Sequence, residues 1–168
     1  MTKASFEKRT IASEPLNGKI IDVEVPTYVT GLMQFDNGAI GTIFTTFDVY
    51  NAQVPCIEIY GSEGTISVPD PNTFEGPVLL YRAGSNEFKE IPLMFPYENN
   101  SRGLGLADMA KAIQAGRKPR ANSEQILHVL EIMTSFQTSS EQGKHITIES
   151  KYQREKPMVY DLLKGVLD

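Results

Sequence analysis

Two segments rich in β-branched and aromatic residues flank the dipeptide Asn37-Gly38, and this arrangement constrains the fold more than any other feature of the chain. The segments run from Tyr28 to Phe35 and from Ala39 to Tyr50. An Asn-Gly pair between such segments is a strong hairpin signal, because both central positions of a type I′ turn need positive φ. The sequence therefore predicts an antiparallel hairpin with a two-residue loop.

A two-residue loop determines which side chains of the hairpin share a face. Phe35 would then face Ile40, and Leu32 would face Ile43. One face would carry Phe35, Ile40, Met33 and Phe44, and the other would carry Tyr28, Leu32, Ile43 and Phe47. Both faces are therefore apolar, whereas a half-buried antiparallel sheet has one polar face. We expect helices to cover one face. For the second set, two explanations stay open: an oligomer interface with another subunit, or a central position in a two-layer core.

Turn residues divide the remainder of the first half into short segments, and two helical patterns follow. Further strands are predicted at Cys56 to Tyr60, Thr65 to Val68, Val78 to Arg82 and Phe88 to Ile91. The helices fall within residues 102–141. Ser101 is predicted to cap the first helix and Gly116 to stop it, while the second begins after Asn122 or Ser123. A last strand is expected at 144–148, followed by a tail at 149–168.

This order of elements predicts the fold class. Strands first and helices later argue for an α+β fold, with an open, mostly antiparallel sheet and two or more helices packed on one face. The sheet would span residues 5–91. With 168 residues, the chain has the length of one ordinary domain, so residues 1–168 are interpreted as a single domain.

Composition and charge exclude several kinds of partner. A formal net charge of -5 argues against nucleic acid, because phosphate binding needs clustered Lys and Arg. No apolar run approaches the length of a membrane helix, and the segment MTKASFEKRT lacks the apolar core of a signal peptide. We therefore expect no membrane partner and a cytoplasmic location. Cys56 is the single cysteine, and its apolar surroundings predict a buried thiol that forms no intramolecular disulfide.

Few residues are candidates for chemistry. The segment Gly103 to Asp108, GLGLAD, nearly matches the dinucleotide fingerprint, but it lacks a preceding strand and ends in an acid, so it is interpreted as a loop-to-helix junction. His128 and His145 are isolated and provide no metal-ligand spacing. Arg102, at the entrance of the first helix, is the candidate for binding an oxygen-rich substrate. A salt bridge or a loop anchor is the alternative role for Arg102.

Three runs of the sequence together resemble a known enzyme family. They are VPTYVTGLMQFDNGAIGTIFTTFDV, then IEIYGSEGTISVPDPNTFEGPV, then NSRGLGLADMAKAIQAGRKPRANSEQILHVLEIM. In this order and spacing, they resemble the C-terminal domain of the Gfo/Idh/MocA oxidoreductases over nearly the whole chain. The resemblance implies an α+β domain whose large open sheet builds subunit contacts and whose near edge helps to close the substrate pocket.

The resemblance also limits what activity this chain can have. The glycine-rich nucleotide loop of the family and its catalytic aspartate and histidine have no match here, so no catalytic residue, cofactor-binding residue or metal ligand is assigned. NAD or NADP is implied only for the full-length parent. The chain is interpreted as the substrate-pocket and oligomerisation domain of an NAD(P)-dependent sugar or polyol dehydrogenase, inactive without its nucleotide-binding half, and forming a homo-oligomer through the open sheet face. The alternative is a stand-alone, non-catalytic binding or scaffold module.

Overall fold

The computed structural model describes residues 1–4, 6–95, 97–99, 101–160, 162–163 and 166–168. Within them, strands precede helices, and the predicted α+β class is confirmed. The strands are β1 (Thr2–Lys3), β2 (Lys8–Thr10), β3 (Ile20–Asp22), β4 (Tyr28–Gln34), β5 (Ile40–Thr46), β6 (Ile57–Gly61), β7 (Gly64–Val68), β8 (Val78–Arg82) and β9 (Lys89–Ile91). The helices are α1 (Leu104–Ala115) and α2 (Ser123–Gln142).

The strands form three antiparallel sheets, where one sheet over residues 5–91 was predicted. Their orders are β1-β4-β5, β2-β3 and β6-β7-β8-β9. No strand lies in the stretch 47–56, which contains Pro55, and a proline has no N–H to donate to a ladder. The contacts divide the chain into two compact units. Unit 1 comprises Met1–Ala52 and Glu124–Tyr152, and unit 2 comprises Gln53–Ser123 and Gln153–Asp168.

The hairpin of β4 and β5 in unit 1 has a three-residue loop. The Phe35 amide donates to the Ala39 carbonyl at 2.9 Å, and the Gly38 amide donates to the Phe35 carbonyl at 2.9 Å. Gly38 has a φ of 87°, as in a type I turn followed by a left-handed residue. The predicted two-residue loop is therefore wrong. Gln34 pairs with Ile40, so every facing pair is shifted by one residue from the prediction.

The observed register decides which face of this sheet is covered by α2. A Cβ built on Gly31 would lie 2.5 Å from the ring of Phe136 in α2, so α2 packs on the face that carries Gly31. Ile43 pairs with Gly31 and therefore shares this helix face. The opposite face, here named the open face, carries Tyr28, Leu32, Ile40 and Phe44. Leu32 and Ile40 are 73% and 75% exposed on it.

The predicted grouping of apolar side chains is corrected by this register. Of the four residues predicted to share one face, Tyr28 and Leu32 lie on the open face, Ile43 lies on the helix face, and Phe47 follows the end of β5. Because side chains alternate along a strand, a shift of one residue exchanges the faces. Their role in an oligomer interface stays a prediction.

We expect the substitution Gly31→Ala to lower the free energy of unfolding by about 1–3 kcal/mol, because the added methyl group overlaps the Phe136 ring. In a Phe136→Leu background, the same substitution should cost much less, since the ring is gone. Urea denaturation of the four chains gives the coupling energy between the two positions. Equal costs in both backgrounds would contradict this close contact.

The helix ends are set by backbone geometry. Gly116 ends α1 in the left-handed region with a φ of 64°, as predicted. The prediction that Ser101 caps α1 is wrong, because the N-cap residue is Gly103 and the Ser101 hydroxyl donates to the Asn99 carbonyl at 2.7 Å. None of the described helices is long and apolar enough to cross a bilayer.

Two further predictions differ from the structure. The segment 144–148 forms no strand; the residues after it are held by α2, where the Glu131 carboxylate accepts the Glu149 and Ser150 amides at 2.8 and 2.9 Å. Cys56, predicted to be buried, is exposed, as are most residues of the adjoining strand β6. In the described part of the chain, Ala112 is the one fully buried apolar residue.

Candidate functional site

Arg102 lies in unit 2, two residues before α1. Its Nη2 donates to the backbone carbonyl of Asn72 at 3.0 Å and to the Asn72 side-chain oxygen at 2.9 Å. The guanidinium carbon stands 5.8 Å from the centroid of the Phe74 ring, within cation–π distance. The structure therefore gives Arg102 the contacts of a loop anchor, the alternative considered from sequence. Its role in substrate binding stays a prediction.

Unit 2 holds an apolar pocket of about 370 Å³, and the Phe74 ring that Arg102 contacts lies in its wall. Its wall includes Phe74, and α1 contributes its first residue, Leu104. The remaining lining residues come from two other segments: Leu93, Met94, Phe95, Tyr97, Pro157 and Met158. We name it the Phe74 pocket. Tyr97 carries the sole side-chain hydroxyl of the lining, and that hydroxyl donates to the Val166 carbonyl, so the pocket surface is almost entirely apolar.

A cluster of charged side chains surrounds the buried Asp108 of α1. Asp108 is 5% exposed, and its carboxylate accepts Nη2 of Arg117 at 2.7 Å and Nη1 of Arg120 at 2.5 Å. The Arg120 backbone amide donates to the second carboxylate oxygen at 2.8 Å. Arg120 also contacts Asp168 at 2.6 Å and the Lys156 carbonyl at 3.0 Å. The cluster therefore ties α1 and the loop after it to Lys156 and Asp168.

These partners determine the ionisation of Asp108. Burial by itself raises the pKa of the carboxyl, but the hydrogen bonds from Arg117 and from the backbone and side chain of Arg120 outweigh it, and the pKa lies below its ordinary value. The Asp108 carboxylate therefore stays charged and is unsuited to proton transfer near neutral pH. We interpret the cluster as structural. Gly103 is the N-cap residue of α1, which agrees with GLGLAD being a helix junction.

His128, Ser150 and Glu131 meet in unit 1 without forming a catalytic triad. His128 Nδ1 lies 2.9 Å from the Ser150 hydroxyl oxygen and 3.0 Å from the Ser150 carbonyl oxygen. A triad needs an acid that orients the imidazole through its other nitrogen. Glu131 instead accepts the Ser150 hydroxyl and two backbone amides, which lower its pKa. These contacts tether the segment after α2 to the helix.

Unit 1 holds a second depression, of about 440 Å³, along the end of β5. Its lining includes Thr27, whose hydroxyl donates to the buried carboxylate of Asp48. Arg9 faces the same carboxylate at 3.8 Å.

In the residues that the structure describes, no group of three or more His, Cys, Asp or Glu side chains could hold a metal ion.

Comparisons with known proteins relate this chain to a family and to a fold. Residues 2–67 match the model of the GFO/IDH/MocA C-terminal domain, which confirms the predicted resemblance over this part of the chain. No curated protein matches significantly. A crystal structure described as an oxidoreductase domain protein from Kribbella flavida matches with a TM-score of 0.61 and 21% identity, over 85% of this chain and 41% of that chain. At this identity the likeness shows the fold alone, and this chain spans less than half of that relative.

Proposed function

We propose, from the premise that residues 2–67 are a GFO/IDH/MocA C-terminal domain sequence, that this chain serves as the C-terminal domain of an NAD(P)-dependent sugar or polyol dehydrogenase. The family match is the observation that carries the proposal. In this role the domain contributes a wall of the substrate pocket and a surface for subunit assembly, and it works in the cytoplasm. Hydride transfer requires a nucleotide-binding domain to hold the nicotinamide against the substrate carbon.

The open face supports the assembly part of this proposal. It presents Tyr28, Leu32, Ile40 and Phe44 from two neighbouring strands, and three of them are exposed. Contiguous apolar patches of this kind are uncommon on monomers, because burying such surface against a partner is favourable. A second copy of the chain would supply an identical apolar face. We therefore propose a homo-oligomer in which open faces meet.

Two ionisable groups of this domain, Asp108 and His128, already have partners within the chain. Asp108, the buried acid of α1, is neutralised by two arginines. His128 is occupied by Ser150. Neither group is placed to accept a proton from a substrate hydroxyl.

Light scattering on the purified chain, with NADH titrated into the same sample and its fluorescence recorded, tests both parts. We expect a dimer or larger oligomer whose mass and NADH fluorescence do not change. The variant Leu32→Glu should be a monomer, because it places a charge in the open face. The matched control Ile59→Glu introduces the same charge at an exposed position of unit 2 and should leave the mass unchanged.

Two outcomes of this experiment, and one outcome of a separate activity assay, count against the proposal. A monomer that binds NADH tightly would contradict the assignment of cofactor binding to another domain. A monomer that ignores NADH would contradict the assembly role and favour the alternative, a stand-alone binding or scaffold module. Oxidation of a sugar by the chain with added NAD would contradict the requirement for a second domain.

A further inference from the structure

The Phe74 pocket of unit 2 is an apolar cavity, and one of its lining residues, Phe74, also contacts the guanidinium of Arg102. At about 370 Å³, it lies in the size range of small-molecule sites, which typically pair apolar walls with a few polar groups. The aromatic rings of Phe74, Phe95 and Tyr97 and the thioethers of Met94 and Met158 form much of its surface. Such walls favour the body of an aromatic or aliphatic molecule through burial and dispersion.

This lining is unsuited to a sugar or a polyol. A hydroxyl group that leaves water without a new hydrogen-bond partner costs free energy, and the Tyr97 hydroxyl, which could have been one, is directed to the Val166 carbonyl. The pocket is therefore distinct in its chemistry from the substrate site in the function proposed above. Its ligand should carry few polar groups.

Arg102 supplies the charge that selects the ligand. Its guanidinium carbon stands 5.8 Å from the ring centroid of Phe74, which lines the pocket. Both hydrogen-bond acceptors of Arg102, on Asn72, are uncharged. Among the described residues, no carboxylate forms an ion pair with Arg102, whereas Arg117 and Arg120 are paired with Asp108.

The hydrogen bonds to Asn72 also hold the Arg102 guanidinium in a fixed orientation, which favours the binding of an anion. The two bonds involve Nη2, and within the described part of the chain Nε and Nη1 have no hydrogen-bond partner. A guanidinium that is already held in place loses less side-chain freedom when it binds a carboxylate. Its planar N–H groups match the two oxygens of such a ligand.

We propose that the Phe74 pocket binds a small amphipathic carboxylate, with an aryl or alkyl body in the cavity and its carboxylate on Arg102. The site needs no nucleotide and no second domain for its recognition chemistry. Its success or failure is therefore independent of the oxidoreductase role proposed above.

A pair of probes that differ only in charge tests this site on the intact chain. The probes are 3-phenylpropionate and its neutral amide, 3-phenylpropionamide, with Kd values measured by titration calorimetry without nucleotide. We expect the carboxylate to bind about tenfold more tightly than the amide, as for a hydrogen bond to a charged group that is partly exposed. Arg102→Gln should remove this preference and leave the affinity for the amide unchanged, while Arg102→Lys should keep part of it.

The control Arg82→Gln removes an exposed arginine at the end of β8 and should leave both affinities unchanged. Leu93→Trp, which fills the cavity, should weaken both probes. Circular dichroism of each variant shows whether it is folded. Equal affinity for the two probes, a charge preference that persists in Arg102→Gln, or the absence of binding by both probes at millimolar concentration would each overturn the proposal.

Discussion

Replacing Gly64 with alanine should lower the free energy of unfolding by about 3 kcal/mol, the larger end of the range for overpacking. Gly64 begins β7 and pairs with Gly61 of β6 and Arg82 of β8. A Cβ at this position would lie 2.2 Å from the Tyr81 carbonyl oxygen. That atom belongs to the backbone of the neighbouring strand, so the overlap cannot be relieved by a side-chain rotation. The β7–β8 ladder would have to separate locally.

The neighbouring Gly61 is a matched control for this prediction. A Cβ on Gly61 would lie 3.5 Å from the Gly64 carbonyl oxygen, which is an ordinary van der Waals distance. Gly61→Ala should therefore change the free energy of unfolding by less than about 1 kcal/mol. Both variants would be compared by urea denaturation. Similar costs at the two positions would show that general strand propensity, and not the close approach of β8, explains the glycine at position 64.

Replacing Asp108 with asparagine should cost about 2–3 kcal/mol in the free energy of unfolding. The substitution keeps the shape of the side chain but removes its charge. Arg117 and Arg120, whose side chains are 30% and 20% exposed, would then lose their shared anion. The partial exposure of the arginines keeps the expected cost below that of a fully buried pair.

The surface pair of Lys8 and Asp22 provides the control. These side chains are 69% and 74% exposed and lie 3.7 Å apart, and exposed pairs of this kind contribute little. Asp22→Asn should therefore change stability by less than about 0.5 kcal/mol. If the two asparagine variants had equal stability, the Asp108 cluster would not be a stabilising element of unit 2.

The cost of Asp108→Asn should depend on pH. The pKa of Asp108 in the folded chain lies below its ordinary value of 3.8, so the unfolded chain binds the proton first as the pH falls. The stability that the carboxylate contributes is complete above about pH 5 and is lost as the pH falls through the folded-state pKa. The difference in stability between the wild-type chain and Asp108→Asn should therefore shrink below about pH 4. A difference that grows in acid would contradict this sign.

Strands bounded by clear turns could be predicted closely from the sequence. The prediction of Val78 to Arg82 as a strand is confirmed without any shift by β8, and Gly116 ends α1 as expected. Both signals are local, because turn residues and apolar runs act over a few neighbouring positions. The segment 144–148 shows the limit of such signals. It has strand-like residues, but a strand also needs a ladder partner, and none of the residues that the structure describes pairs with it.

The register of the β4–β5 hairpin was predicted wrongly because the length of its loop was predicted wrongly. Asn37-Gly38 correctly indicates a turn, but the same dipeptide can close a two-residue or a three-residue loop. The length of the loop decides the register, and the register decides which face each side chain occupies. Ile43 was therefore assigned to the face of Leu32, while the structure places it opposite, with Gly31.

The candidate sites depend even more on distant contacts. Asp108 stands nine and twelve residues before its arginine partners, and its position in GLGLAD drew attention to nucleotide binding instead. The available sequence signal was the group of basic residues around Pro119, namely Arg117, Lys118 and Arg120. Arg102 was identified from its place before α1, but its partner, Asn72, lies thirty residues away.

The sequence by itself determined the α+β class, the order of most strands and helices, and the family resemblance, because these follow from residue patterns within short segments. The tertiary structure alone decided the faces of the β4–β5 hairpin, the charge cluster at Asp108, and the contacts of Arg102 with Asn72 and Phe74. Each of these requires residues from distant segments to meet. Their proximity depends on register and packing, which no local pattern specifies.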